Sequence, residues 1–234
     1  TEKKPVKRGT LATKQMSAYT LAVIVPFSNQ FRRDVPALYD AMIQRLPGAL
    51  AKKFDATVFG AVDAPGSNFD TLKNCTAQSI LTNAYGGLVA ADADIAAHDG
   101  ILNGWVLSPQ GKAILLTAVD GNERPLFINN VAEGAVPMIL GAPVKQSKGA
   151  YIAETATTDA IVGFAGDWTQ AVYGTVEGVQ IAISDQATLT EGGSTINLFE
   201  QNMFAVRAEI EVGFRCDTTV FNKLTGKAKT GGAG

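Results

Sequence analysis

The sequence predicts an α+β protein in which one long helix lies against an antiparallel sheet, and three stretches carry that prediction. Residues 35–60, VPALYDAMIQRLPGALAKKFDATVFG, place an apolar side chain at every fourth position: Leu38, Met42, Leu46, Leu50, Phe54 and Val58. That spacing is one gently winding stripe on an α-helix. From residue 204 to residue 214 the chain alternates, with Phe204, Val206, Ala208, Ile210, Val212 and Phe214 on one side and Arg207, Glu209 and Glu211 on the other; Arg215 continues the polar side. This is the pattern of a half-buried strand, about 35–45 Å long at ~3.3 Å per residue and well beyond the usual length. Residues 19–25, YTLAVIV, are apolar on both faces and read as a strand inside a core.

Each element follows in order. Residues 10–27 are expected to run as a strand that leaves solvent and enters the core, since Thr13, Lys14, Gln15 and Ser17 are polar on both faces. Its polar half needs a neighbour for its backbone groups, and no later segment looks like a hairpin partner, so the partner is expected ahead of Thr1. Asp34 is the expected N-cap of the long helix, with Pro36 in its first turn and Gly60 closing it. Pro47 and Gly48 interrupt the middle, so a bend or short break is expected near Arg45. Residues 62–74 read as a surface loop, and the alanine-rich residues 76–102 as helix divided in two by Gly86 and Gly87. GWVLS at 104–108 reads as a short buried strand; Ser108 then caps a helix with Pro109 at its first position, running to Val119. Asp120 and Gly121 turn the chain, residues 124–128 extend it, and residues 141–145 and 160–164 are further strands. Gly166, Asp167 and Trp168 form a turn into a helical turn. Val179, Ile181 and Ile183 alternate with polar or small residues, predicting a strand with one buried face, and residues 188–195 predict a Gly-rich turn. The tail 227–234, KAKTGGAG, is expected to be disordered.

With 234 residues, 46% hydrophobic and 18% charged, the chain can bury one large core or two modest ones. Its longest apolar run falls far short of the ~20 residues that span a bilayer, and no secretion signal is evident, so a soluble protein is expected. A net charge of −2 argues against a dedicated nucleic-acid binder. Lys3, Lys4, Lys7, Arg8 and Lys14 form the basic cluster. Cys75 and Cys216 lie far apart and make no CxxC pair, which fits a reducing compartment and no zinc site.

An enzyme needs a site, and one candidate cluster stands out. Asp92, Asp94, His98 and Asp99 could offer oxygen and nitrogen ligands to a metal, as in a small metal-dependent hydrolase. However, Asp92 and Asp94 face apart on a helix, and a solvated helix end explains the same residues. No phosphate-cradling loop, dinucleotide fingerprint or nucleophile elbow occurs, and neither cysteine has a nearby base. Trp105 and Trp168 read as core. The residues therefore point to a structural or interaction protein, without cofactors or a metal.

The order of segments is itself informative: VIVPFSNQFRRD, the long helix closing in FDATVFG, then GWVLSPQGKAILL, DGNERPLF, LGAPV, GFAGDW and NLFEQNMFAVRAEIEVGF. Together they closely resemble the tailed-bacteriophage major capsid proteins of the HK-ninety-seven fold, over nearly the whole chain. The resemblance implies an E-loop, a long spine helix, a peripheral-domain antiparallel sheet and an axial domain. Residues 1–18 would be the returning half of the E-loop. Residues 19–74 and 168–216 would be the peripheral domain with spine helix 35–60, residues 75–167 and 217–226 the axial domain, and residues 227–234 a flexible tail. Family members carry an N-terminal arm and an outgoing E-loop strand ahead of this point, in keeping with the missing strand partner.

The resemblance further implies self-assembly through pentamers and hexamers into an icosahedral shell around a phage's double-stranded DNA, held without sequence specificity. Scaffold or protease and portal would take part during assembly in the host cytoplasm, no membrane would be involved, and the product would be the virion. Lys3, Lys4, Lys7, Arg8 and Lys14 would make the E-loop contacts between neighbouring copies, the Lys3 to Arg8 cluster lying against acidic patches of an adjacent one. Some members cross-link covalently, and here Lys4, Asn202 and Glu209 match the lysine, asparagine and glutamate of that reaction. An encapsulin-like nanocompartment shell shares the fold and is the alternative reading.

Overall fold

A computed structural model describes residues 13–34, 36–127 and 136–227. Strand β1 (Tyr19–Ser28) passes into three consecutive helical pieces, α1 (Asn29–Asp34), α2 (Pro36–Ile43) and α3 (Leu46–Phe59). The strand is shorter than expected: residues 13–18 carry no regular secondary structure, and residues 10–12 lie outside the described residues. The helical run begins earlier than Asp34. Ser28 Oγ accepts the Phe31 N–H at 3.1 Å and so provides the cap, whereas Asp34 accepts from Arg33 Nε at 2.8 Å.

The expected break falls at Gln44 and Arg45, where the Arg45 N–H reaches back three residues to Met42 O at 3.0 Å. Pro47 then lies in the first turn of α3, where its missing donor costs nothing. At the far end Gly60 adopts φ 84°, and its N–H closes on Thr57 O at 3.2 Å. Of the stripe, Leu46, Leu50 and Val58 are buried, Leu50 at 2% exposure, and Phe54 partly so, but Leu38 remains 50% exposed.

Beyond α3 come β2 (Thr76–Ser79), α4 (Ala84–Ala97), β3 (Gly104–Leu107), α5 (Pro109–Thr117), β4 (Met138–Ile139), β5 (Ala142–Gln146) and β6 (Ala160–Gly166). Gly86 and Gly87 do not divide a helix; they form the first turn of α4, where Asn83 Oδ1 accepts the Gly86 N–H at 2.9 Å. At Gly87 a Cβ would overlap the Ser79 carbonyl, so glycine lets α4 close directly onto β2. Ser108 caps α5 as expected, accepting from Gly111 N at 3.0 Å and donating to Val162 O at 2.8 Å. The chain continues through β7 (Ala171–Thr175), β8 (Gln180–Ser184), β9 (Thr188–Glu191), β10 (Ser194–Asn197), β11 (Met203–Cys216) and β12 (Phe221–Lys227). The Gly-rich turn is the tip of the β9–β10 hairpin, with Gly192 and Gly193 both at positive φ.

Among the described residues, these strands form two main sheets besides that hairpin. One has the order β1-β11-β7, with β8 also paired to β11; the other runs β2-β12-β6-β3-β5-β4. β11 is the axis of the first: β1 pairs along it from Val212 to Met203, while β7 and β8 share its opposite edge. Helix α3 lays Leu46 and Leu50 against Phe27, Phe204, Val206 and Ala208. Its far end brings Val58 and Phe59 onto Phe164, Phe214 and Phe221, tying both sheets into one core. Helices α4 and α5 cover the second sheet through Leu88, Ala91, Ile95 and Leu115, around a fully buried Trp105. Trp168 is half-buried and packs edge-on against Phe221.

The sheets are joined where two strand-to-strand crossovers meet. Each passes through a short 3-10 turn capped by an aspartate, Asp167 before residues 168–170 and Asp217 before residues 218–220. The turns bond each other reciprocally: Asp167 N–H donates to Val220 O at 3.1 Å, and Asp217 N–H to Gln170 O at 3.3 Å. The tail expected at 227–234 lies, beyond Lys227, outside the described residues.

Candidate assembly surfaces

The chemical cluster of the sequence does not converge. His98 ends α4, with Nδ1 2.8 Å from Asp94 O and 3.9 Å from Asp94 Oδ1, and Asp99 follows it with a left-handed backbone at φ 60°. Among the described residues no three His, Cys, Asp or Glu side chains could together hold a metal ion. Both cysteines are free and buried, and burial pushes each thiol up to about 12, which leaves them protonated and unreactive. No described helix is long and apolar enough to cross a membrane.

Lys3, Lys4, Lys7 and Arg8 lie outside the described residues; Lys14 lies within them and is engaged in its own chain. Its ammonium bridges Asp70 Oδ2 and Cys216 O, each at 2.6 Å. Asp70 also holds Arg215 Nη1 at 3.0 Å and accepts the Cys216 N–H at 3.1 Å. Two residues earlier in the same loop, Asn68 donates to Ser17 Oγ at 3.1 Å. The loop after α3 thereby clasps residues 13–19 onto the C-terminal end of β11, and sequence reasoning had no signal for it.

Asn202 lies exposed in the turn before β11 at φ 53°, its Oδ1 accepting from Asn29 Nδ2 at 2.9 Å. Glu209 points from the middle of β11 and pairs with Arg207 at 3.1 Å. Six strand steps separate Met203 from Glu209, about 20 Å at ~3.4 Å each, so one chain does not bring Asn202 and Glu209 together.

Among the described residues, the first sheet leaves much of its surface uncovered. All five residues of β8 are exposed, although Ile181 and Ile183 stand on the side facing α3. The expected buried face is absent because α3 covers β1 and β11 and stops short of β8. Between them runs an apolar groove of about 230 Å³ lined by Leu50, Phe54, Tyr173 and Val179, among others. On the opposite side Thr20, Ile24, Arg207, Glu211, Gln180, Ala182 and Ser184 are all exposed. A strand bare on both faces, with isoleucines in it, asks to be covered by something else.

A long interrupted helix braced across one sheet, a second sheet joined through paired turns and extensive uncovered strand surface suit a subunit whose cover is completed by neighbours. The chain belongs to the phage capsid family, whose model matches residues 1–217. It is similar to the "Probable major capsid protein gp17" of Mycobacterium phage D29, 29% identical over 99% of this chain and 76% of that protein. It is similar also to the major capsid protein of Staphylococcus phage 80alpha, 24% identical over 95% of this chain and 68% of that one. A solved chain from Gordonia phage Cozz shares the fold with a TM-score of 0.75 and 18% identity, covering 97% of this chain and 80% of that one. A capsid chain of an empty GTA particle does so with a TM-score of 0.60 and 14% identity over 91% and 73%. The protein is a shell-forming major capsid protein of the HK-ninety-seven fold.

Proposed function

We propose that copies of this chain assemble through pentamers and hexamers into an icosahedral shell that encloses the double-stranded DNA of a tailed phage. The observation that carries the reading is β8, exposed on both faces with Ile181 and Ile183 unburied, in a chain of the phage capsid family. Repeated heterologous contacts supply the missing cover, and rings of such contacts close into a container. A net charge of −2 suits an inner wall that holds DNA without gripping it. In this reading the four-stranded sheet with α1–α3 is the peripheral domain, residues 19–74 and 168–216. Residues 75–167 and 217–226 form the axial domain around the capsomer centre. The reciprocal Asp167 and Asp217 turns support a boundary at those positions. Scaffold or protease and portal would act during assembly in the host cytoplasm. Electron microscopy with light scattering on the purified protein tests the proposal: closed shells of megadalton mass support it, and nothing beyond a small oligomer counts against it.

Autocatalytic cross-linking is a finer reading of the same surface. The Lys4 amine of one copy would attack the Asn202 side-chain carbonyl of another, forming an isopeptide bond and releasing ammonia. Glu209 would first take a proton from the ammonium. Because Asn202 and Glu209 lie far apart along β11, the base would come from a different copy. A ladder of multimers from boiled particles on a denaturing gel supports this chemistry; a single monomer band ends it.

A further inference from the structure

Two glycines stand opposite one another inside the first sheet. Gly213 of β11 pairs with Gly174 of β7, between the pairs Val212 with Thr175 and Phe214 with Tyr173. Glycine in a strand interior weakens the strand and marks a place where another part of the chain comes close. Phe214 turns toward α3, where it meets Phe54 edge-on, so Gly213 faces the other way. On that side lies Met16. A Cβ on Gly213 would stand 2.7 Å from Met16 Cγ and 2.8 Å from Ser17 O, and one on Gly174 would stand 2.9 Å from Met16 Cε. Real side chains do not come so close, so the two glycines form a notch that the Met16 side chain and the backbone after it occupy.

The notch is the specific part of the hold on residues 13–18. These residues carry no regular secondary structure, so no backbone ladder fixes their course, and Met16 is the one large apolar side chain among them. Two polar ties flank it: Lys14 reaches Asp70, and Ser17 Oγ accepts from Asn68 Nδ2 at 3.1 Å. Lys14 is half exposed on a long flexible stem, and an exposed ion pair contributes little and tolerates many positions. A thioether laid across two bare strand backbones has one seat, and the unbranched, polarizable methionine side chain suits such an irregular gap. Beside the seat is an open cavity of about 600 Å³ lined by Lys14, Met16, Gln170 and Val172, among others. Freed from the notch, the segment has room to shift sideways.

We propose that Met16 is a positioning residue: seated over Gly174 and Gly213, it sets the point and direction from which residues 1–12 leave the subunit, and so whether shells form. The inference rests on the shell reading above for that last step only. A segment already held in one direction has less order to gain when it meets a neighbour, which favours assembly. Met16 is 39% exposed and lies outside the core clusters, so its loss releases the segment without unfolding the sheet.

The test uses the full-length chain with Met16→Ala, Met16→Leu or Gly213→Ala. Trypsin cuts after Lys14 only when residues 13–18 lift from the sheet, so the cutting rate in free subunits reports the hold. Met16→Ala is expected to raise that rate about tenfold with an unchanged melting temperature, and Gly213→Ala about tenfold because its methyl takes the Met16 seat. Met16→Leu refills the notch and should stay within about threefold of wild type. Shell yield should follow the same order, about tenfold lower for Met16→Ala and near wild type for Met16→Leu. Cleavage of Met16→Ala at the wild-type rate overturns the seat. Faster cleavage with wild-type shell yield overturns its role in assembly. So does a melting temperature that falls together with the yield, since Met16 is then ordinary packing. Absence of shells from the wild type would defeat the shell reading instead, and the cleavage rates would still decide whether Met16 holds the segment.

Discussion

Lys14 Nζ stands 2.6 Å from Asp70 Oδ2, and the same ammonium donates to the Cys216 carbonyl at 2.6 Å. Through this contact the loop after α3 holds the segment that enters β1 against the end of β11. Asp70 is the hub, since it also receives Arg215 Nη1 and the Cys216 N–H. Asp70→Asn keeps the volume but removes the charge and leaves one amide oxygen for donors that now share two carboxylate oxygens. The expected cost is about 1–3 kcal/mol. Lys14→Ala should cost less than about 1 kcal/mol, because its side chain is 52% exposed and its pair is screened. Denaturant midpoints of the isolated protein measure both, and a larger loss from Lys14 than from Asp70 would contradict the hub.

The parts of this fold that were legible in the sequence are those where one chain supplies both sides of the contact. The alternation from Phe204 to Phe214 was readable because α3 buries that side of β11, and the break near Arg45 because Pro47 cannot occupy a helix interior. β2 was hidden: Thr76, Ala77, Gln78 and Ser79 have no apolar pattern, and the strand exists because β12 pairs with it in parallel from far along the chain. β8 misled in the other direction, since Val179, Ile181 and Ile183 alternate as if buried yet remain exposed in one copy. The basic cluster was legible as composition. The Lys14–Asp70 clasp was not, because nothing local links residues so distant in sequence.

Two helical glycines should respond to alanine with opposite signs. Gly48 lies in the first turn of α3 with no atom within 4 Å of the place an alanine methyl would take, so Gly48→Ala should stabilise by about 0.5–1 kcal/mol. Gly87 lies in α4 against the Ser79 carbonyl, and Gly87→Ala must push β2 and α4 apart. A loss of about 1–3 kcal/mol is expected there, the usual cost of overpacking. Thermal melts of both variants decide it, and stabilisation at both positions would show that α4 does not close on β2 as described.

Thiol chemistry checks the second core cluster. Cys75 and Cys216 are both buried in it, at 4% and 3% exposure, beside Leu72, Phe214 and Phe221. Burial is the main cause pushing each thiol up to about 12, so neither forms thiolate at neutral pH. An aromatic disulfide reagent should leave both untouched in the native protein and label both in denaturant. Rapid labelling of the native protein would mean that the two sheets separate readily at this core.

The paired turns between the sheets predict an acid transition. The Thr169 hydroxyl, followed by N–H groups of Ile101 and Thr169 and the Asn103 amide, holds the Asp167 carboxyl below its ordinary value of 3.8 against the opposing effect of burial. The Thr219 hydroxyl and N–H do the same for Asp217. A carboxyl whose folded pKa lies below its unfolded one contributes stability that is complete above the unfolded value. That stability is lost as pH falls through the ordinary value toward the folded one. The protein's melting temperature should therefore be insensitive to these groups between about pH 7 and 5 and decline steeply below the ordinary carboxylate value. The variant Asp167→Asn with Asp217→Asn should be less stable at neutral pH, because an amide accepts fewer charge-assisted bonds from the turn donors. It should also show a shallower acid decline, since the groups that would take up protons are gone. Equal acid slopes in the variant and the wild type would place the titrating carboxyls elsewhere and remove the paired turns as the acid-labile joint between the sheets.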